Sequence, residues 1–139
     1  INIAARGAGM AKGATDMALR YAMERKTFGK PIAEHQAIQL KLAEMSTRAA
    51  AAELLVRQAA NKFDQGERCD LEAGQAKFFA SESAVQNSLD AMRVFGGYSY
   101  SPEYEIERFY RDAPLLCIGE GTNEIQRMII AKQMVARTQ

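Results

Sequence analysis

The chain has no tryptophan, one histidine, two cysteines and three prolines among its 139 residues. His35 has no nucleophile or metal ligand at a telling spacing, so it reads as a hydrogen-bonded helix-entry residue rather than a catalytic one. Cys69 and Cys117 follow no metal-ligand pattern. They read as free thiols in a reducing compartment rather than as a disulfide. Neither charge sign dominates: 18 basic and 17 acidic side chains leave a net charge of +1, with no basic block or acidic tail. That excludes nucleic acid or a membrane surface as the main partner. No apolar run approaches the roughly 20 residues that span a bilayer. No signal peptide is visible, and the start at Ile1 hints at a piece of a longer protein. What is present is 47% hydrophobic residues, enough for the core of one domain.

The scarce prolines organise the rest. Pro31, Pro102 and Pro114 fall where helices should stop, because a proline inside a helix costs about 3 kcal/mol. After Pro31, the residues Ile38, Leu42, Met45, Ala49, Ala52, Val56, Ala59 and Phe63 recur at spacings of four and three, one continuous helical stripe. Gly66 supplies a stop and Asp70 a new N-cap. Ile3, Met10, Ala14, Met17 and Tyr21 share a face of an earlier helix running to about Glu24, in which Gly7, Gly9 and Gly13 imply close packing by a neighbour. Phe78, Val85, Leu89 and Met92 mark a third helix from Leu71 to about Val94. The run Asn123–Ala136 is apolar on more than one face, which predicts a well-buried last helix. A short helix is expected near Glu103–Tyr110, followed by an irregular loop from Asp112 to Gly121. No segment alternates with period two. The fold class is therefore all-α: an antiparallel four-helix bundle with short connections.

One stretch carries chemistry. Gly119-Glu120-Gly121-Thr122 sets a carboxylate between two glycines, just before a helix start. Gly121 lets a ligand's backbone or acyl chain pass close by. Thr122 is a plausible N-cap, and the free N–H groups of the helix it opens form an anion site. A base beside such a site suits an enzyme that removes a proton while holding a phosphorylated cofactor. Two more segments stand out: Arg25-Lys26-Thr27-Phe28-Gly29-Lys30-Pro31 with His35-Gln36, and Phe95-Gly96-Gly97-Tyr98 with Arg111-Asp112-Ala113 downstream.

These three segments, in this order, resemble the C-terminal helical domain of flavin-dependent acyl-CoA dehydrogenases, and they span nearly the whole chain. The resemblance implies that residues 1–139 form that domain, with the family's N-terminal helical and middle β domains absent. It implies FAD as cofactor, with Glu120 as the base that takes the α-proton of an acyl-CoA thioester. The β-hydrogen leaves as hydride to the flavin, and a trans-2-enoyl-CoA results. It assigns Gly121 to the substrate and Arg25, Thr27, Phe28, Gln36, Gly96, Gly97, Thr122 and Glu124 to the cofactor. Arg93 stands where the family usually has glutamine, and is carried as a cofactor contact on position alone. The resemblance further implies a dimer or tetramer, an electron-transfer flavoprotein as electron acceptor, and a bacterial cytoplasm or mitochondrial matrix.

Plainer readings stand beside these. Arg25 and Lys26 answer the macrodipole at a helix end; Gly96 is an ordinary helix stop; Arg111-Asp112 is an internal polar pair that fixes the loop. Gly119, being small, permits a wide or branched acyl group. An acyl-CoA oxidase-like member and a non-catalytic oligomerisation module are the competing functions.

Overall fold

The computed structural model describes residues 1–138. Three long helices build the frame: α1 (Asn2–Glu24), α2 (Gln36–Asp64) and α3 (Asp70–Phe95). The chain continues through α4 (Ile106–Ile118) and α5 (Asn123–Ala136). Helix α2 runs antiparallel to α3: Lys62 near the end of α2 meets Glu72 near the start of α3, and Lys41 near the start of α2 meets Asp90 near the end of α3. The all-helical bundle expected from the stripes is present, with α4 and α5 packed outside the frame, chiefly on α3. Among the described residues no helix is long and apolar enough to cross a membrane.

Small residues set the interhelical distances. Ala4, Ala8, Ala11, Ala14, Ala18 and Ala22 of α1 are all buried, as are Ala76, Ala80, Ala84 and Ala91 of α3. At Gly7 a Cβ would lie 2.9 Å from the backbone of Ala80, so glycine is required for the α1–α3 approach. At Gly13 a Cβ would meet the Phe109 ring at 2.9 Å, whereas Gly9 faces open space and its packing role is not borne out. The larger core groups gather at one end, where Met45, Val94, Phe95 and Ile106 close around Tyr21 and Tyr104. Tyr21 stacks on Phe95 with ring centroids 4.2 Å apart.

Three expectations need correction, and one short hairpin was not foreseen. Pro114 lies inside α4 instead of ending a helix, so the loop expected from Asp112 is helical to Ile118. Ile106, Ala113 and Leu116 share a buried face that holds α4 to the bundle, while Pro114 itself is exposed. Burial on one face thus outweighs one missing hydrogen bond on the other, the usual way tertiary context overrides propensity. A two-residue hairpin, β1 (Lys26–Thr27) with β2 (Lys30–Pro31), follows α1. Its turn takes positive φ at Phe28 (51°) and Gly29 (80°), as a tight hairpin turn requires. Helix α5 is not well buried: Ile125, Met128, Met134 and Val135 are exposed, and Asn123 is its one buried residue. It packs on the frame chiefly along α3, and much of its further apolar surface stays exposed. Asp70 is the first residue of α3 rather than its cap; Cys69 holds the cap position.

What fastens the end of α5 is an ion cluster. The Arg137 guanidinium donates two hydrogen bonds to the buried Glu72 carboxylate, at 2.7 and 2.9 Å, and Lys62 adds a third at 2.8 Å. Chiefly through Arg137, these donors pull the Glu72 pKa down from 4.5 to about 2. A carboxylate whose pKa is depressed on folding stabilises fully above its unfolded value and loses that contribution as pH falls through its folded value. Glu72→Gln is therefore expected to cost about 2 kcal/mol at pH 7. The difference from wild type should shrink between pH 4.5 and pH 2, as urea titrations at several pH values would show. A difference that does not change with pH would refute the assignment.

Candidate active site

The residues singled out in the sequence fall at two ends of α3. At its C-terminal end, Arg25, Thr27, Gly96 and Gly97 line one cleft of about 510 Å³, together with Tyr21, Ile32, Phe95 and Tyr98. Arg25 is the C-cap of α1, where the chain turns extended towards the hairpin. Its guanidinium lies 5.8 Å from the Tyr98 ring centroid and makes no ion pair among the described residues. Thr27 Oγ1 lies 3.0 Å from His35 Nε2, so the lone histidine is a hydrogen-bonded helix-entry residue as expected. Gly96 has φ of 62° and, like Gly97, faces open space where a Cβ would stand. A guanidinium without a carboxylate partner, in an open glycine-edged cleft with aromatic walls, fits a phosphorylated dinucleotide.

Three other proposed cofactor residues stand apart from that cleft. Phe28 projects from the hairpin tip, 97% exposed, with its ring edge-on to His35. Gln36 is exposed on the first turn of α2. Arg93 lies 3.3 Å from Asp90 and does not line the cleft.

At the other end, Glu120 sits between α4 and α5. It is exposed and takes φ of 56°, one of two non-glycine residues with positive φ among those described. Gly121 follows at φ 88°, a conformation that favours glycine. Glu120 lines a smaller cleft of about 280 Å³ with Lys77, Gly74, Asp70, Gln126 and the first three residues of the chain. Thr122 caps α5, its Oγ1 accepting from the Ile125 N–H at 3.4 Å. Glu124 stands in the first turn of this helix. A hydrogen bond from its own backbone N–H, and then the Thr122 hydroxyl, hold its carboxyl below the usual range. A Cβ on Gly119 would come 3.2 Å from the Leu115 carbonyl oxygen, so its smallness is explained by the end of α4. Arg111 and Asp112 approach to 3.9 Å on the exposed face of α4, a surface pair rather than an internal one.

A buried polar cluster under Glu120 was not legible in the sequence. Lys77 of α3 is 4% exposed and donates to Asn123 Oδ1 at 2.7 Å and to the Cys117 carbonyl at 3.1 Å. Asn123 Nδ2 donates in turn to Ser81 Oγ at 3.0 Å and Glu82 Oε1 at 2.8 Å. Burial pushes the Lys77 pKa down, against the opposing pull of Cys117, Glu124 and Glu82. Burial likewise pushes the Cys117 thiol up; both cysteines are free. The one available signal was a lysine within an otherwise apolar and small-residue run, Ala76–Ala80.

Fold and site define a class: an all-helical domain with a carboxylate in a left-handed loop at one end and a cationic, phosphate-compatible cleft at the other. Residues 1–135 match the family model described as acyl-CoA dehydrogenase, C-terminal domain, and the chain belongs to that family. It is 51% identical over 135 residues to the 3-(aryl)acrylate reductase of Clostridium sporogenes and 49% identical over 138 residues to an acyl-CoA dehydrogenase of Bacillus subtilis. These alignments cover 97% and 99% of this chain. The chain spans 36% of the length of either relative. A subunit of the caffeyl-CoA reductase–Etf complex of Acetobacterium woodii is 42% identical, over 99% of this chain and 36% of that one. Among solved structures, butyryl-CoA dehydrogenase from Megasphaera elsdenii superposes with a TM-score of 0.94 at 40% identity, covering 96% of this chain and 35% of that one. An FAD complex of PigA superposes at 0.91 with 32% identity, over 96% and 35%.

Proposed function

We propose that this chain is the base-bearing domain of an FAD-dependent enzyme that removes hydrogen from Cα and Cβ of an acyl-CoA thioester. The observation that carries the reading is Glu120: a carboxylate in a left-handed backbone conformation, flanked by glycines, at the rim of a cleft. FAD, when bound, supplies the acceptor for the β-hydrogen's electron pair. Glu120 takes the α-proton on a carboxylate oxygen, and Gly121 leaves room for the acyl chain. Arg25, Thr27, Gly96 and Gly97 hold the dinucleotide part of the cofactor, with Arg25 answering the pyrophosphate. Phe28, Gln36, Arg93, Thr122 and Glu124 are further cofactor contacts on the family resemblance. The residues outside this chain supply N-terminal helical and middle β domains.

Helix α3 separates the two clefts. Lys77 and Gly96 are roughly 30 Å apart along it, at 1.5 Å per residue. One cofactor cannot meet both clefts within one chain if its flavin reaches Glu120. This supports a homo-oligomer in which one protomer's Arg25 cleft serves the Glu120 of another. An electron-transfer flavoprotein is the proposed electron partner, in line with the Etf-complex relative.

A second reading has a specific support. Two of the relatives above are named reductases. The same site run backwards would donate a proton from the Glu120 carboxyl to Cα of an unsaturated thioester. Anaerobic titration of the intact enzyme separates the directions. Bleaching of its oxidised flavin by saturated acyl-CoA thioesters is expected. A flavin that bleaches with none of a thioester panel, but reoxidises from its reduced form on adding an enoyl-CoA, would favour the reductase. No spectral response in either direction would refute both.

A further inference from the structure

The cluster beneath Glu120 is built around one ammonium. Lys77 reaches the Cys117 carbonyl in the last turn of α4 and the Asn123 side chain in the first turn of α5. Between those two anchors lie only residues 118–122, which contain Gly119, Glu120 and Gly121. Glu120 itself is held at φ 56°, a conformation that a non-glycine residue keeps only when its surroundings enforce it. Ser81 also donates to Asn123 Oδ1, at 3.1 Å, and lies beside the Cys117 thiol, but Lys77 is the group that bonds the backbone on the α4 side. An ammonium suits the task. It has three N–H donors and no acceptor, so it can gather a carbonyl from one helix and an amide oxygen from the next. Asn123 is locked in turn by Ser81 and Glu82, so the tether runs back to α3 at two further points.

We propose that Lys77 is the positioning residue of the base: it ties the end of α4 to the start of α5 and so fixes where the Glu120 carboxylate stands. This rests on the reading of Glu120 as base. Lys77 does not touch the reacting atoms. It acts through backbone placement, and a displacement of about 1 Å is enough to cost on the order of 10²-fold in rate.

The test uses the intact holoenzyme with Lys77→Met, which keeps the length and apolar stem but cannot donate. Lys77→Arg restores donors and charge. Glu72→Gln serves as a destabilised control whose ion cluster holds the far end of α5. Single-turnover flavin bleaching by acyl-CoA is expected to slow by about tenfold to a hundredfold in K77M. Its acyl-CoA affinity should stay within about threefold, and K77R should recover part of the rate. Hydrogen exchange in K77M should quicken at the amides of residues 119–122, and in E72Q it should not. A K77M enzyme that bleaches within about twofold of wild type, or no more slowly than E72Q, overturns the proposal. If K77M yields no holoenzyme, K77R carries the test: native exchange at 119–122 together with native bleaching supports the ammonium tether. Native exchange with bleaching slowed as far as in Glu120→Gln would overturn it. Should Glu120→Gln itself bleach at nearly the wild-type rate, the base reading fails first, and that result is distinct from a failure of Lys77 alone.

Discussion

Glu120→Gln in the intact enzyme is expected to slow flavin bleaching by acyl-CoA about 10²- to 10⁴-fold, the usual worth of a general base. Flavin content and melting temperature should stay near those of wild type. The substitution keeps the side chain's length and its hydrogen-bonding capacity, and removes only the ability to accept the proton. A structural penalty is not expected. Glu120 is exposed and none of the described hydrogen bonds or ion pairs uses its carboxylate. Its positive φ is shared by the glutamine variant, so the backbone strain does not change. Acyl-CoA should still bind, because only the carboxylate is altered. Rapid-mixing measurements under anaerobic conditions check the rate, and calorimetry checks the fold. A glutamine variant that bleaches within tenfold of wild type would place the base elsewhere, on a part of the protein outside this chain.

Much of the frame was legible because helical periodicity reports burial. The stripe from Ile38 marks α2, with Met45, Ala49, Ala52 and Ala59 buried. Phe63, at its end, is exposed. The Thr122 cap was legible for a local reason: capping is a contact between neighbours in sequence. What failed was non-local. Pro114 breaks a helix in isolation, but α4 gains more from burying Ile106, Ala113 and Leu116 than it loses at one N–H. The apolar faces of α5 are a burial signal in the sequence, yet a pattern does not state which surface will cover it. Lys77 was invisible because a buried lysine looks like any surface lysine until the oxygens around it are known. Of the proposed cofactor residues, four converge on one cleft because α1 and α3 end side by side, a fact of packing that no local motif holds.

That side-by-side packing depends on Asn87, and the largest stability effect is expected there. Asn87 is fully buried in α3 at the point where three helices meet. Its amide nitrogen lies 3.1 Å from the Ala11 carbonyl and 3.1 Å from Thr15 Oγ1 in α1, and 2.9 Å from the Met45 carbonyl in α2. Its oxygen accepts from Arg48 Nε at 2.7 Å, and the same guanidinium pairs with the buried Asp90 carboxylate. Asn87→Leu would strip all of these at once. It would leave Arg48 Nε without its acceptor and force a branched side chain among alanines. The expected cost is about 3–5 kcal/mol, within the range for breaking a buried polar network. At this chain length that corresponds to a fall in Tm on the order of 10 °C. Asn87→Asp should be no milder, since it sets a carboxylate against the Ala11 and Met45 carbonyls. The neighbouring residue supplies the contrast. Ser88 is also fully buried, but its hydroxyl has no partner among the described residues. Removing an unpaired buried polar group relieves a desolvation penalty, so Ser88→Ala should be neutral or stabilising by up to about 1 kcal/mol. Urea unfolding of the three variants reads both signs in one series. Equal losses at positions 87 and 88 would mean that packing volume, not the Asn87 hydrogen bonds, holds α1, α2 and α3 in register.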